Sequence, residues 1–140
     1  MRNVLADLAL ESEAALALTM RIARAVDRIE TNPHEAALAR IATAIGKYWI
    51  CKRAPVLINE AQECLGGNGY VEETIMPRLY RQAPLNSIWE GSGNVQCLDV
   101  LRALNKEPET QQALFKELQQ AVGKNADYDK ELHLLIERLE

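Results

Sequence analysis

Between Asn3 and Glu30 the chain has neither glycine nor proline, and its apolar residues return at helical spacing: Val4, Leu8, Ala15, Leu18, Ile22, Val26 and Ile29. Asp7, Glu11, Arg21, Arg24 and Arg28 fall between them. A strand would need alternation at every second residue, so this stretch predicts one long amphipathic helix. Thr31-Asn32-Pro33 ends it and starts the next, with Asn32 as N-cap and Pro33 at the first helical position.

The second helix is predicted from Pro33 to Leu65. It carries few charges for its length, which predicts burial on more than one face. Pro55 inside it predicts a kink or a split, and Gly66-Gly67-Asn68-Gly69 ends it. A short helix is expected over Ile75–Gln82, capped by Thr74 and stopped before Pro84, followed by an irregular segment from Leu85 to Glu90. Ser92 then caps a helix over Gly93–Asn105, where Val95, Leu98, Leu101 and Leu104 form a stripe. Beyond Lys106-Glu107-Pro108 the chain is more polar. It predicts a helix from Pro108 to Val122, a stop at Gly123, and a last helix from Asp127 with Leu132, Leu135, Ile136 and Leu139 as its apolar side.

These elements predict an all-α protein, a four-helix up-and-down bundle over residues 1–104 with a two-helix extension over 105–140. Alanine and leucine dominate and only seven of the 140 residues are aromatic, which favours helices packed closely on small side chains. A net charge of −4 argues against a general nucleic-acid-binding face. No apolar run reaches the ~20 residues that span a bilayer, and the first residues enter a helix without a leader pattern, so a cytoplasmic chain is expected. Cys51, Cys64 and Cys97 show no CxxC spacing and read as reduced core thiols. His34 and His133 lack ligand-like neighbours, so no metal site is expected.

Unusual backbone demands arise at two glycine clusters. Gly66-Gly67-Asn68-Gly69-Tyr70 reads either as a helix C-cap with a tight turn or as a place where backbone amides approach a phosphate. In Ser87-Ile88-Trp89-Glu90-Gly91-Ser92-Gly93-Asn94 an acidic residue stands just before a helix start. Glu90 there reads either as a partner of the helix dipole or as a proton acceptor tuned by apolar surroundings.

The run from Glu63 to Glu73, followed by Met76-Pro-Arg-Leu-Tyr-Arg-Gln-Ala-Pro-Leu-Asn-Ser-Ile-Trp-Glu-Gly-Ser-Gly-Asn94, resembles the C-terminal domain of the acyl-CoA dehydrogenase family. Pro77–Arg81 and Asn86–Asn94 look like its alkylation-response, AidB-like branch, and Val4–Glu13 is similar to the domain's first helix. The resemblance spans residues 3–104. It implies that Glu90 is the base that removes the α-proton of an acyl-CoA thioester while a hydride leaves to FAD. It implies that Ser92 and Asn94 contact FAD where relatives place Thr and Gln, and that Gly66 and Gly67 approach the flavin nucleotide's phosphates from a neighbouring subunit. Glu63 departs from the Gln that many members carry, an acidic choice shared by the AidB-like branch.

The central β domain and N-terminal helical domain that complete such a site have no counterpart in these 140 residues. The chain alone is therefore expected to be inactive and to retain little FAD, with acyl-CoA bound only alongside those domains. Two other roles follow from the resemblance. One is association with DNA through Arg78, Arg81 and Arg102. The other is homo-oligomeric assembly through exposed apolar helix faces.

Overall fold

A computed structural model describes residues 1–139. Among them are seven helices and no strand: α1 (Arg2–Val26), α2 (Pro33–Leu65), α3 (Gly67–Tyr70), α4 (Met76–Asn86), α5 (Gly93–Lys106), α6 (Pro108–Gln119) and α7 (Ala126–Leu139). The all-α expectation holds, and the four principal helices of the expected bundle are α1, α2, α4 and α5.

The long second helix is the axis of the molecule. Asn32 caps it as expected, its side chain accepting from the His34 and Glu35 amides at 3.0 and 3.3 Å. Helices α1, α4, α5 and α6 all pack against it, so the scarcity of charge in its sequence does correspond to burial on several faces. The core is built largely from alanines: Ala25, Ala37, Ala39, Ala44, Ala83, Ala103 and Ala113, with Leu38 and Ile41. Small side chains let the helix axes approach closely.

Ion pairs set the directions. Arg53 of α2 pairs with Glu11 and Arg21 of α1 pairs with Glu35, so α1 runs antiparallel to α2. Next to α1, α4 covers the C-terminal half of α2. Further towards the start of α2 lies α5, tied to Arg40 through Asp99. Both run against α2, one after the other, so the up-and-down alternation holds between each of them and the central helix. Beyond the bundle, α6 packs on α2 and α5, with Ala113 against Ala37 and Leu38. The Tyr128 hydroxyl of α7 donates to the Leu118 carbonyl at 2.5 Å.

Several boundaries differ from expectation. The first helix ends at Val26, not Glu30, because Asp27–Thr31 tightens into turns that deliver Asn32 to its cap position. Pro55 does not split α2, which continues as one helix past the missing amide. Similarly, α4 runs through Pro84 to Asn86. The carbonyl that Pro84 leaves unpartnered is that of Tyr80, an exposed residue where water can serve instead. Thr74 does not cap α4; its hydroxyl donates to the Asn68 carbonyl at 2.8 Å, closing the turn behind it.

The stripe Val95, Leu98 and Leu101 faces outward, each residue about half exposed, while Ala103 supplies the buried contact of α5. Cys97 on that same helix is exposed rather than core.

Gly66-Gly67-Asn68-Gly69 ends α2 and folds at once into the single turn α3. Gly69 is held against the end of α2, where the Gln62 side-chain amide donates to its carbonyl at 2.9 Å. A Cβ at Gly69 would stand 2.3 Å from the Gln62 carbonyl oxygen. Gly69→Ala is expected to cost about 2 kcal/mol, since the obstacle is backbone and cannot rotate away. Urea unfolding checks this, and an unchanged midpoint would show that the turn yields freely.

Candidate functional site

The connection from α4 to α5 folds back on the middle of α2. Trp89 and Ile88 are exposed there, and so is Glu90. Glu90 has φ +52°, the one left-handed residue besides glycines among the described residues, and Gly91 follows at φ +96°. Two successive left-handed residues turn the carbonyls of Trp89, Glu90 and Gly91 towards one point. Lys47 of α2 occupies it, its ammonium donating to the three oxygens at 2.5, 2.7 and 2.8 Å. The Gln96 side-chain amide adds longer contacts to the Glu90 and Gly91 carbonyls, at 3.4 and 3.2 Å.

Ser92 stands at the N-cap of α5 as expected, but its side chain makes no capping bond. Its hydroxyl is therefore uncommitted beside the free amides of the first helical turn, which attract electron-rich groups. Asn94 lies exposed on that turn. Gly93 is buried against Lys52 and Tyr48, and a Cβ there would stand 2.6 Å from the Lys52 side chain. The loop and the start of α5 thus bring Glu90, Ser92 and Asn94 onto one short surface.

Gly66 and Gly67 belong to a different place. Gly66 has φ +59°, which favours glycine, and nothing lies within 4 Å of where a Cβ would stand on either residue. Beside them is an open groove of about 470 Å³ lined by Asn59, Gln62, Glu63, Gly66 and Tyr70. The Glu63 carboxylate accepts from the Asn59 side-chain amide at 2.9 Å. Gly66 follows Lys47 by nineteen residues, about 28 Å along a helix rising 1.5 Å per residue. Within one chain the two glycine clusters do not converge.

Glu90 is not enclosed by apolar surface of this chain, contrary to the tuning by apolar surroundings read from its neighbours; its flanking Ile88 and Trp89 project outward instead. The arginines considered for nucleic acid are partly committed to carboxylates. Arg81 pairs with Glu72 at 2.7 Å and Arg102 lies 3.9 Å from Asp99. No group of three or more His, Cys, Asp or Glu that could hold a metal occurs among the described residues. Among the described residues no helix is long and apolar enough to cross a membrane.

Sequence reasoning missed Lys47 and Gln96. A signal for Lys47 existed: it is the one charged residue between Arg40 and Lys52, in a helix otherwise composed for burial. Its partners are carbonyls, however, and these leave no trace in residue type.

A family model described as acyl-CoA dehydrogenase, C-terminal domain, matches residues 1–105. The chain is 46% identical to Escherichia coli AidB, provisionally named an acyl-CoA dehydrogenase, over 99% of this chain and 26% of that protein. It is 37% identical to the bovine mitochondrial short-chain specific acyl-CoA dehydrogenase over 73% of this chain and 23% of the relative. Among solved structures, Caenorhabditis elegans ACDH-11 in complex with C11-CoA superposes with a TM-score of 0.80 at 32% identity, covering 96% of this chain and 23% of that one. The chain spans about a quarter of the length of these relatives.

Proposed function

Because the chain belongs to the acyl-CoA dehydrogenase family, through that family's C-terminal domain, we propose that it supplies the base and part of the flavin site for α,β-dehydrogenation of an acyl-CoA thioester. The observation that carries this reading is the left-handed, exposed Glu90, held by its backbone and uncommitted at its side chain. A carboxylate spent on capping would bond the amides of α5, and Glu90 makes no such bond. That weighs against helix capping as its purpose.

In this reading Glu90 takes the proton from the carbon next to the thioester carbonyl onto a carboxylate oxygen. FAD, when bound, supplies the acceptor for the hydride that leaves the neighbouring carbon. Ser92 and Asn94 offer a hydroxyl and an amide to the flavin side of the same surface, and their position at a helix start suits an electron-rich ring edge. Gly66 and Gly67 fit a phosphate sterically, since their backbone is open where a side chain would stand. At about 28 Å from the Lys47 anchor along α2, they suit a flavin other than the one Glu90 faces, which calls for a second copy of the chain. The outward stripe of Val95, Leu98 and Leu101 is apolar surface available for such assembly.

Neither cluster encloses a cofactor by itself. The purified 140-residue chain is expected to show no stoichiometric flavin absorbance, and titration with FAD should give a dissociation constant of about 100 μM or weaker, since most of the burying surface is lacking. A yellow, stoichiometrically loaded preparation would overturn the division of labour proposed here.

A further inference from the structure

Glu90 is held in a backbone conformation that residues with a side chain rarely adopt, and nothing in its own sequence favours it. Its shortest contacts come from one side chain of another helix. An ammonium has three protons, and at Lys47 all three are used, each on a carbonyl of consecutive residues 89, 90 and 91. Those oxygens converge on the ammonium with Glu90 and Gly91 both left-handed. Lys47 therefore selects the conformation that sets where the Glu90 side chain leaves the backbone.

We infer that Lys47 is a positioning residue for Glu90, a cationic pin that fixes the base without touching substrate or flavin. This rests on the reading of Glu90 as the base. Gln96 reinforces the pin from α5 through two longer contacts, and Gly91 admits it: a Cβ there would stand 2.4 Å from the Gln96 amide nitrogen. Arginine is a poor substitute, because a planar guanidinium cannot converge on three oxygens around one point.

Two measurements test the assignment, with Lys47→Met as the main variant. In the 140-residue chain, ¹⁵N relaxation should show the Glu90 and Gly91 amides falling from rigid order parameters near ~0.85 to below about 0.6, with the cores of α2 and α5 unchanged. The second uses a chimera in which this chain replaces the matching quarter of the E. coli relative, with rates counted per bound flavin. There kcat for acyl-CoA oxidation should fall about 10–100-fold with KM within about threefold, the signature of a misplaced group rather than lost binding. Lys47→Arg should recover only part of that rate.

Order parameters that stay high in Lys47→Met overturn the assignment, as does a disordered loop with undiminished kcat. Glu90→Gln in the same chimera separates the two claims. If it leaves turnover intact, the reading of Glu90 has failed; if it abolishes turnover while Lys47→Met does not, the role of Lys47 has failed.

Discussion

Glu90→Gln, placed in the chimera with the E. coli relative, should slow anaerobic bleaching of the bound flavin by acyl-CoA about 10²–10⁴-fold, the range general-base catalysis contributes. Glutamine keeps the size and the left-handed backbone but cannot accept the α-proton. The thioester's affinity should change little, because Glu90 stands on an exposed turn and its side chain makes no bond whose loss would reorganise the loop. Stopped-flow reduction at several acyl-CoA concentrations separates the two quantities. A full-rate Glu90→Gln protein would mean that proton abstraction is done elsewhere. The size of the effect depends on geometry as much as on charge, since a base helps only when it is held in line with the bond it breaks.

The second large effect concerns stability. Arg21 of α1 donates from one guanidinium to Glu35 of α2 at 2.8 and 3.2 Å and to Glu117 of α6 at 2.6 and 2.9 Å. Glu35 is the one buried charged residue among those described, and that pairing is what makes its burial tolerable. Arg21→Met should destabilise the fold by about 2–4 kcal/mol, towards the low side of a fully buried pair because Arg21 and Glu117 each keep 25% of their side-chain surface in water. Urea unfolding at neutral pH measures it, and a loss under ~1 kcal/mol would show that Glu35 finds water or another partner.

The same pair gives a pH dependence. The Arg21 hydrogen bonds hold the Glu35 carboxyl below its ordinary value of 4.5, against the opposing push of burial. A folded value below the unfolded one contributes stability that is present above about 4.5 and lost as pH falls through the folded value. With Arg21 gone the push of burial is opposed only by the weaker charges of His34 and Arg24, and folded Glu35 takes up its proton more readily. The deficit of Arg21→Met should therefore narrow on acidification below about 4.5.

Helices were the most legible part of this chain, because periodicity and punctuation act locally. The α1 stripe, the Asn32 cap and the Pro108 start were all readable. Pro84 was misread as a stop where tertiary packing outweighed one lost hydrogen bond, and of the two outcomes expected at Pro55 the split does not occur. The stripe on α5 was legible as apolar but not as outward-facing, since a period shows that a face is apolar without showing what covers it. In the candidate site, Glu90, Ser92 and Asn94 were findable as residues. The left-handed turn and the lysine beneath it were not, because a contact between an ammonium and backbone oxygens forty residues away has no sequence pattern.

The unbroken course of α2 past Pro55 acts as a ruler between the Lys47 anchor and the glycine turn at Gly66. On a continuous helix, adding or removing one residue between them shifts their separation by about 1.5 Å and rotates one against the other by about 100°. A loop would absorb such a change; this rod passes it on in full. The interval between the two motifs is thus a phase as well as a distance, and substitutions along it are tolerated far more readily than insertions.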